Sequence, residues 1–150
     1  MSYSLARAQI VTIVETYATA AESQRVGRAS FKHYPDASDA KLPKSRGFWL
    51  TAVSHAMLGP YTPGLPQRHR SQMVLTVCYL ASSDPSVDDV NMASDHRQIS
   101  TQLLSPTNWN RPTSTLVTLS NGEDLLMPAT IDSVDGARLL RLTFPMEYTS

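Results

Sequence analysis

Residues 71–81, Ser71-Gln-Met-Val-Leu-Thr-Val-Cys-Tyr-Leu-Ala81, decide the fold class. The run holds no charge, proline or glycine and carries β-branched and aromatic side chains, so it reads as a strand. Alternation puts Met73, Leu75, Val77 and Tyr79 on one face and Val74, Cys78 and Leu80 on the other. A strand apolar on both faces is central and covered on both sides. Helices are expected over one face, and a neighbouring subunit over the other.

Upstream, Gly59-Pro-Tyr-Thr-Pro-Gly-Leu-Pro-Gln-Arg-His-Arg70 contains three prolines and two glycines, which exclude a helix or a central strand. A loop this long in a compact domain is more often functional than idle. Before it, Gly47-Phe-Trp-Leu-Thr-Ala-Val53 reads as a strand, and residues 35–45, with two prolines and two aspartates, as an exposed loop. Residues 28–34 alternate in part and form a possible strand. A first helix is expected from Ser4 to about Glu22, with Gly27 just past its end. Leu5, Ile10, Val14, Tyr17 and Ala21 fall near its apolar face.

Downstream, Ser83 or Asp84 caps a second helix with Pro85 in its first turn. Asp84, Asp88 and Asp89 lie where the helix dipole favours carboxylates. Met92, His96, Ile99 and Leu103 form its apolar face, and Pro106 ends it. Trp109 is placed to anchor that end. Residues 114–119 read as a strand, Asn121-Gly122 and Asp135-Gly136 as tight turns, and residues 137–148 as the last strand. The order helix, strands, helix, strands gives a single α+β domain over residues 1–150. Its sheet is antiparallel or mixed, two helices lie on one face, and long loops project.

Thirteen basic and thirteen acidic residues cancel, which argues against nucleic acid as the main partner and leaves little repulsion between copies. Charged residues make up 17% of the chain, below the roughly 25% usual for soluble domains. With an apolar share of 41%, the core is thin or completed by a partner. One cysteine, Cys78, allows no disulfide within the chain, and its mid-strand position means burial, not reactivity. No basic segment leads into an apolar run at the N-terminus, and no stretch approaches a membrane span. A soluble, cytoplasmic product is expected.

No catalytic pattern emerges. His33, His55, His69 and His96 have no metal-ligand spacing, and His96 on an apolar helix face reads as a core or boundary residue. His69, flanked by Arg68 and Arg70, is poorly placed for a general base. No nucleophile elbow, EF-hand loop or phosphate-cradling glycine motif is present. No catalytic, cofactor or metal residues are therefore assigned, and the chain is read as a non-enzyme. Arg68-His69-Arg70 is the one dense positive spot. It reads as a charged strand entrance or a contact to an acidic neighbour, in preference to the lining of a DNA channel.

From Arg68 to the C-terminus, a strand with a charged lead-in precedes a helix bearing Asp95, Ile99 and Leu103. A further strand, the segment Ile131-Asp132 and a closing strand Arg138-Leu-Leu-Arg-Leu-Thr-Phe follow. With the N-terminal helix and the length, this order resembles the lambda-type tail terminator proteins of long-tailed bacteriophages. The resemblance covers most of the chain as a pattern of elements and contains no invariant short motif. It implies a homohexameric ring that caps the tail tube, stops its polymerisation and meets the head-completion or connector proteins. Such a protein is assembled in the host cytoplasm and resides in the virion tail or neck. DNA would be only passing cargo, and there would be no membrane partner. The family brings no catalytic residues. Loop and anchor chemistry points instead to Tyr61, Leu65, Arg68, Arg70 and an exposed Trp49 as partner contacts. The alternatives are another connector, tail-completion or minor tail protein, or a small enzyme whose site joins His69 or His33 to a carboxylate across a subunit boundary.

Overall fold

The computed structural model describes residues 2–19, 29–35, 46–80, 84–109, 116–117, 127–134 and 136–149. Ala21, Glu22, Gly27, the loop at 36–45 and the Asn121-Gly122 turn lie outside them. Among the described residues the fold is α+β, with a mixed sheet of six strands. The elements run α1 (Tyr3–Thr12), β1 (Lys32–His33), β2 (Gly47–Leu58), β3 (Arg68–Leu80), α2 (Pro85–Leu104), β4 (Leu116–Val117), β5 (Ala129–Val134) and β6 (Ala137–Thr149). Spatial order is β1-β2-β3-β6-β4, with β5 also paired to β6. β1 runs parallel to β2, and the other pairings are antiparallel.

β3 is central, as its composition requires. Its thirteen residues pair with β6 from Arg68↔Thr149 to Leu80↔Ala137, without a slip. Met73, Leu75, Val77 and Tyr79 join Phe48, Leu50, Leu140, Leu142, Phe144 and Met146 in one buried cluster. Ala6, Ile10, Ile13 and Val14 of the first helix and Met92, Ile99 and Leu103 of α2 complete it. Both helices thus cover one face. On the other face Cys78, Ala137 and Leu139 form a small separate cluster, while Val74 is half-buried and Leu80 exposed. Among the described residues that face is only partly covered within the chain. Cys78 itself is buried, which pushes its thiol pKa up.

The first helix departs from simple 3.6-residue periodicity. Ser2 caps it by accepting from the Leu5 amide, and after Thr12 it widens into a π-helical stretch, Ile13–Ala18. A π turn brings residues five apart into line. Ile13 stacks over Ala18 and Val14 over Thr19, and all four are buried. The expected face containing Leu5 and Tyr17 is corrected accordingly. Tyr17 rotates outward and is 41% exposed, and Leu5 points to solvent in the first turn.

The second helix matches its sequence pattern closely. Asp84 is the N-cap, and its carboxylate accepts from both the Ser86 amide and hydroxyl. These bonds hold its carboxyl below the usual range. The helix stops at Leu104. Pro106 opens a short 3₁₀ turn, and the buried Trp109 donates its indole N–H to the Leu103 carbonyl at 2.9 Å. That bond pins the helix end to the core. His96 is half-buried and meets the Met127 carbonyl through Nε2.

Three strand boundaries differ from expectation. β2 runs to Leu58, not Val53, and β3 begins at Arg68, not Ser71, so the polar connection shrinks to residues 59–67. The segment at 28–34 contributes only the two-residue β1. Gly136, in a left-handed conformation, closes the β5–β6 hairpin.

Candidate functional site

The outer half of β2 and the loop after it extend past the core as an arm, while β3 beside them stays paired with β6 as far as Arg68↔Thr149. From Phe48 to Leu50 every second side chain of β2 is buried, and after a bulge between Ala52 and Ser54 none is. The bulge takes up one residue and bends the strand, and beyond it His55, against Tyr3 of the first helix, is the contact with the helices among the described ring pairs. Beyond it β2 and β3 stay paired as far as Leu58↔Arg68. Val53, Met57, Tyr61 and Leu65 are each between 54% and 68% exposed. Gly47–Leu58 contains no charged residue and no proline. Its outer edge pairs, among the described residues, only at Gly47 and Phe48. Long edge strands that stay monomeric are usually blunted by charge, proline or cover. Among the described residues this one carries only a bulge.

The tip is ordered by its own side chains. Gly59 and Gly64 take left-handed φ values of 76° and 82°, which other residues rarely adopt. Gln67 donates to the Leu58 carbonyl at 2.7 Å, and the Leu65 amide to the Thr62 carbonyl at 3.2 Å. An open groove of about 370 Å³ results, lined by Leu58, Pro60, Leu65, Pro66, Gln67 and Arg68 among others.

Beside the tip, Arg68 and Arg70 project from one face of β3 and share Glu147 of β6. Arg68 donates at 2.8 Å, and Arg70 donates twice, at 2.5 and 3.2 Å. The carboxylate is buried while both guanidiniums stay largely exposed. Among the described residues two cations here share one anion. The Arg70 bond, helped by Arg68, holds the Glu147 carboxyl below its ordinary value of 4.5 despite its burial. The stability this confers is present above that value and lost as pH falls through it towards the folded-state value. Glu147→Gln should therefore be less stable than the parent at pH 7, with the gap narrowing as pH falls below 4.5. Urea midpoints at pH 7 and at a series of pH values below 4.5 check this, and a gap that does not change with pH would refute it.

His69 alternates to the opposite face, where it stacks on Tyr148 with ring centroids 5.3 Å apart. Tyr3 packs edge-on against both Tyr148 and His55. His55 Nδ1 lies 2.5 Å from the Ser71 hydroxyl. That is the geometry of a nucleophile and its base, but Ser71 is wholly buried, so a substrate cannot reach its oxygen. Among the described residues no three His, Cys, Asp or Glu side chains converge as a metal site would need. His33 keeps Nε2 buried without a hydrogen-bond partner among the described residues. Burial, reinforced by Arg7 and opposed by Glu15, lowers its pKa.

Neither a protein-family model nor a curated protein sequence matches this chain.

Four of the five residues expected at a partner contact thus gather on one arm: Tyr61, Leu65, Arg68 and Arg70. Trp49 does not join them. It lies near the other end of β2, half-buried against Cys78 and Leu139, so its expected exposure is corrected. Sequence reading missed Val53, Met57 and Glu147. The first two had a signal, since apolar residues continue past Val53 to Leu58 without a turn residue. Glu147 had none, because its role depends on a register only the folded sheet supplies.

A second polar group lies inside the molecule. Arg46 and Asp95 form an ion pair with both side chains almost wholly buried. Arg46 Nε donates to Asp95 Oδ2 at 3.1 Å and NH1 to the Ala29 carbonyl at 2.9 Å, and its guanidinium lies 4.4 Å from the Phe31 ring centroid. Tyr79 donates its hydroxyl to the same Asp95 oxygen at 2.7 Å. The pair joins the start of β2, the end of β3 and the middle of α2, which is the work of a structural clamp.

Proposed function

We propose that this chain is an assembly subunit whose hairpin arm docks onto other proteins. In its specific form it is a tail terminator of a long-tailed bacteriophage, a ring that caps the tail tube within the virion. The observation carrying the reading is the outer half of β2, an uncharged edge strand that exposes Val53 and Met57 and leads into the exposed Tyr61 and Leu65. Exposed apolar surface of this kind marks interaction sites. The element order that resembles the tail terminators supports the finer identification. The zero net charge supports close approach of like copies. The neighbours of such a ring are the tube protein on one side and the head-completion protein on the other.

Light scattering or native mass spectrometry over a range of concentrations tests the reading. A discrete closed oligomer, formed by the protein alone or on mixing with tube protein, is the expected result. A monomer at every concentration that ignores tube protein would overturn it. Among the described residues no helix is long and apolar enough to cross a membrane.

A further inference from the structure

His33 sits on β1 where a positive charge is poorly accommodated. Its register partner on β2 is Phe48, and the two rings lie 5.4 Å apart. Nε2 is buried and has no hydrogen-bond partner among the described residues. A neutral ring leaves one weak polar contact unmade there. A protonated ring is a donor at both nitrogens, so protonation would bury an unpaired N–H together with a charge. Arg7 and Glu15 are the charged groups that act on it among the described residues. Arg7 of α1, which donates to the Leu50 carbonyl at 2.9 Å, adds repulsion. Glu15, further along the first helix, attracts, and its carboxylate accepts from the His33 main-chain amide at 3.1 Å. Lys32 and Tyr34 alternate to the other face of the segment, with the ammonium 5.8 Å from the Tyr34 ring centroid. Burial and Arg7 outweigh Glu15, and the His33 pKa lies below 6.5.

The chain just before His33 is firmly held. Phe31 is buried and its amide donates to the Thr19 hydroxyl at 3.3 Å, and the Ala29 carbonyl accepts from Arg46 at 2.9 Å. From Lys32 onward the segment closes the edge of β2. The Lys32 amide donates to the Arg46 carbonyl at 3.1 Å and the Tyr34 amide to the Phe48 carbonyl at 2.8 Å. We infer that β1 is a proton-operated latch on the edge of β2, with His33 as its sensor. While His33 is neutral, Lys32–Tyr34 stays paired and covers Gly47 and Phe48. When His33 takes up a proton its ring moves to water, the segment swings about the fixed Phe31, and the unpaired edge of β2 reaches back to Gly47. The open form binds the proton more tightly, so the closed form is lost as pH falls through 6.5 towards its own lower value. The edge uncovered is continuous with the exposed outer half of β2 and is likewise uncharged, and an unpaired strand edge is a template for pairing with another chain. The latch therefore controls how much of that edge is offered, and it does so whether or not the partner is a ring neighbour.

NMR on the whole chain tests it. The parent is followed through the titration of the His33 ring, the contact between the His33 and Phe48 rings, and the hydrogen-exchange protection of the Lys32 and Tyr34 amides. Protection is read against the exchange rate of unstructured chain at the same pH. His33 should titrate below 6.5, and the ring contact and both protections should be lost together as it does. His33→Phe keeps a ring against Phe48 and removes the proton site. Its β1 should stay paired from about pH 7.5 down to about pH 5, the range in which histidines change charge. A His33 that titrates at 6.5 or above would overturn the latch, and so would a ring contact that survives the titration. Loss of β1 pairing in His33→Phe with the pH profile of the parent would overturn it as well, since another group would then be the sensor. None of these outcomes depends on the oligomeric state, so failure of the latch and failure of the ring reading are told apart.

Discussion

Asp95→Ala should lose about 3–5 kcal/mol of folding stability, as should Arg46→Ala, because each leaves a charge buried without its partner. Asp95 is fully buried and Arg46 nearly so, and neither can swing to water without opening the sheet. Total stability for a domain of this size is about 5–15 kcal/mol, so each variant forfeits a large share of it. Arg46 carries a further constraint. Its φ of 68° is left-handed, and its backbone bonds to the Cys78 and Lys32 main chains at 2.7 and 3.1 Å hold it there. The triple variant Arg46→Met, Tyr79→Phe, Asp95→Leu removes both charges of the pair and the Tyr79 hydroxyl that donates to Asp95. It should recover most of the loss, since well-packed apolar groups often replace buried ion pairs at no net cost. Urea unfolding of the singles and the triple decides the matter. Single losses below about 1 kcal/mol would mean that water reaches the pair, and a triple that is merely additive would mean that the clamp stabilises beyond its own charges.

This pair also marks where sequence reading stops. β3, α2 and β6 are legible because each has one dominant period and clear end signals. Asp84 with Pro85 opens α2, and Gly136 turns β5 into β6. The Arg46–Asp95 pair joins residues 49 positions apart. Arg46 follows a lysine-bearing polar stretch and looks like one more solvated cation. Asp95 did carry a signal, since it lies three residues after Met92 and four before Ile99, inside the apolar stripe of α2. A carboxylate there implies a buried partner, though not which one. The π-helical stretch is harder still. No residue type in Ile13–Ala18 announces it, and the extra residue per turn is set by how the helix seats on the sheet. Reading Tyr17 as core followed from assuming the common period.

The arm separates folding from assembly more cleanly, and a pair of truncations should expose this. Phe144 of β6 is 1% exposed at the centre of the core cluster, opposite Met73. Phe144→Ala should cost about 3–5 kcal/mol, from lost burial and the cavity left behind. Met57 pairs with His69 on the arm and is 54% exposed. Met57→Ala should change stability by no more than about 0.5 kcal/mol. Both are large apolar residues in long strands of the same sheet, and only the bulge at Val53 divides the strand that packs from the strand that projects. A chain under selection for folding alone has no use for an uncharged, exposed edge strand, which raises its aggregation hazard and adds little to its core. Denaturation midpoints for Phe144→Ala and Met57→Ala, read beside the concentration dependence of mass for Met57→Ala, therefore test the division directly. The expected result is a weakened fold for the first, and for the second an intact fold with weakened assembly. If Met57→Ala instead lost as much stability as Phe144→Ala, the arm would belong to the core of the monomer. Its exposure could then no longer be taken as the mark of a partner.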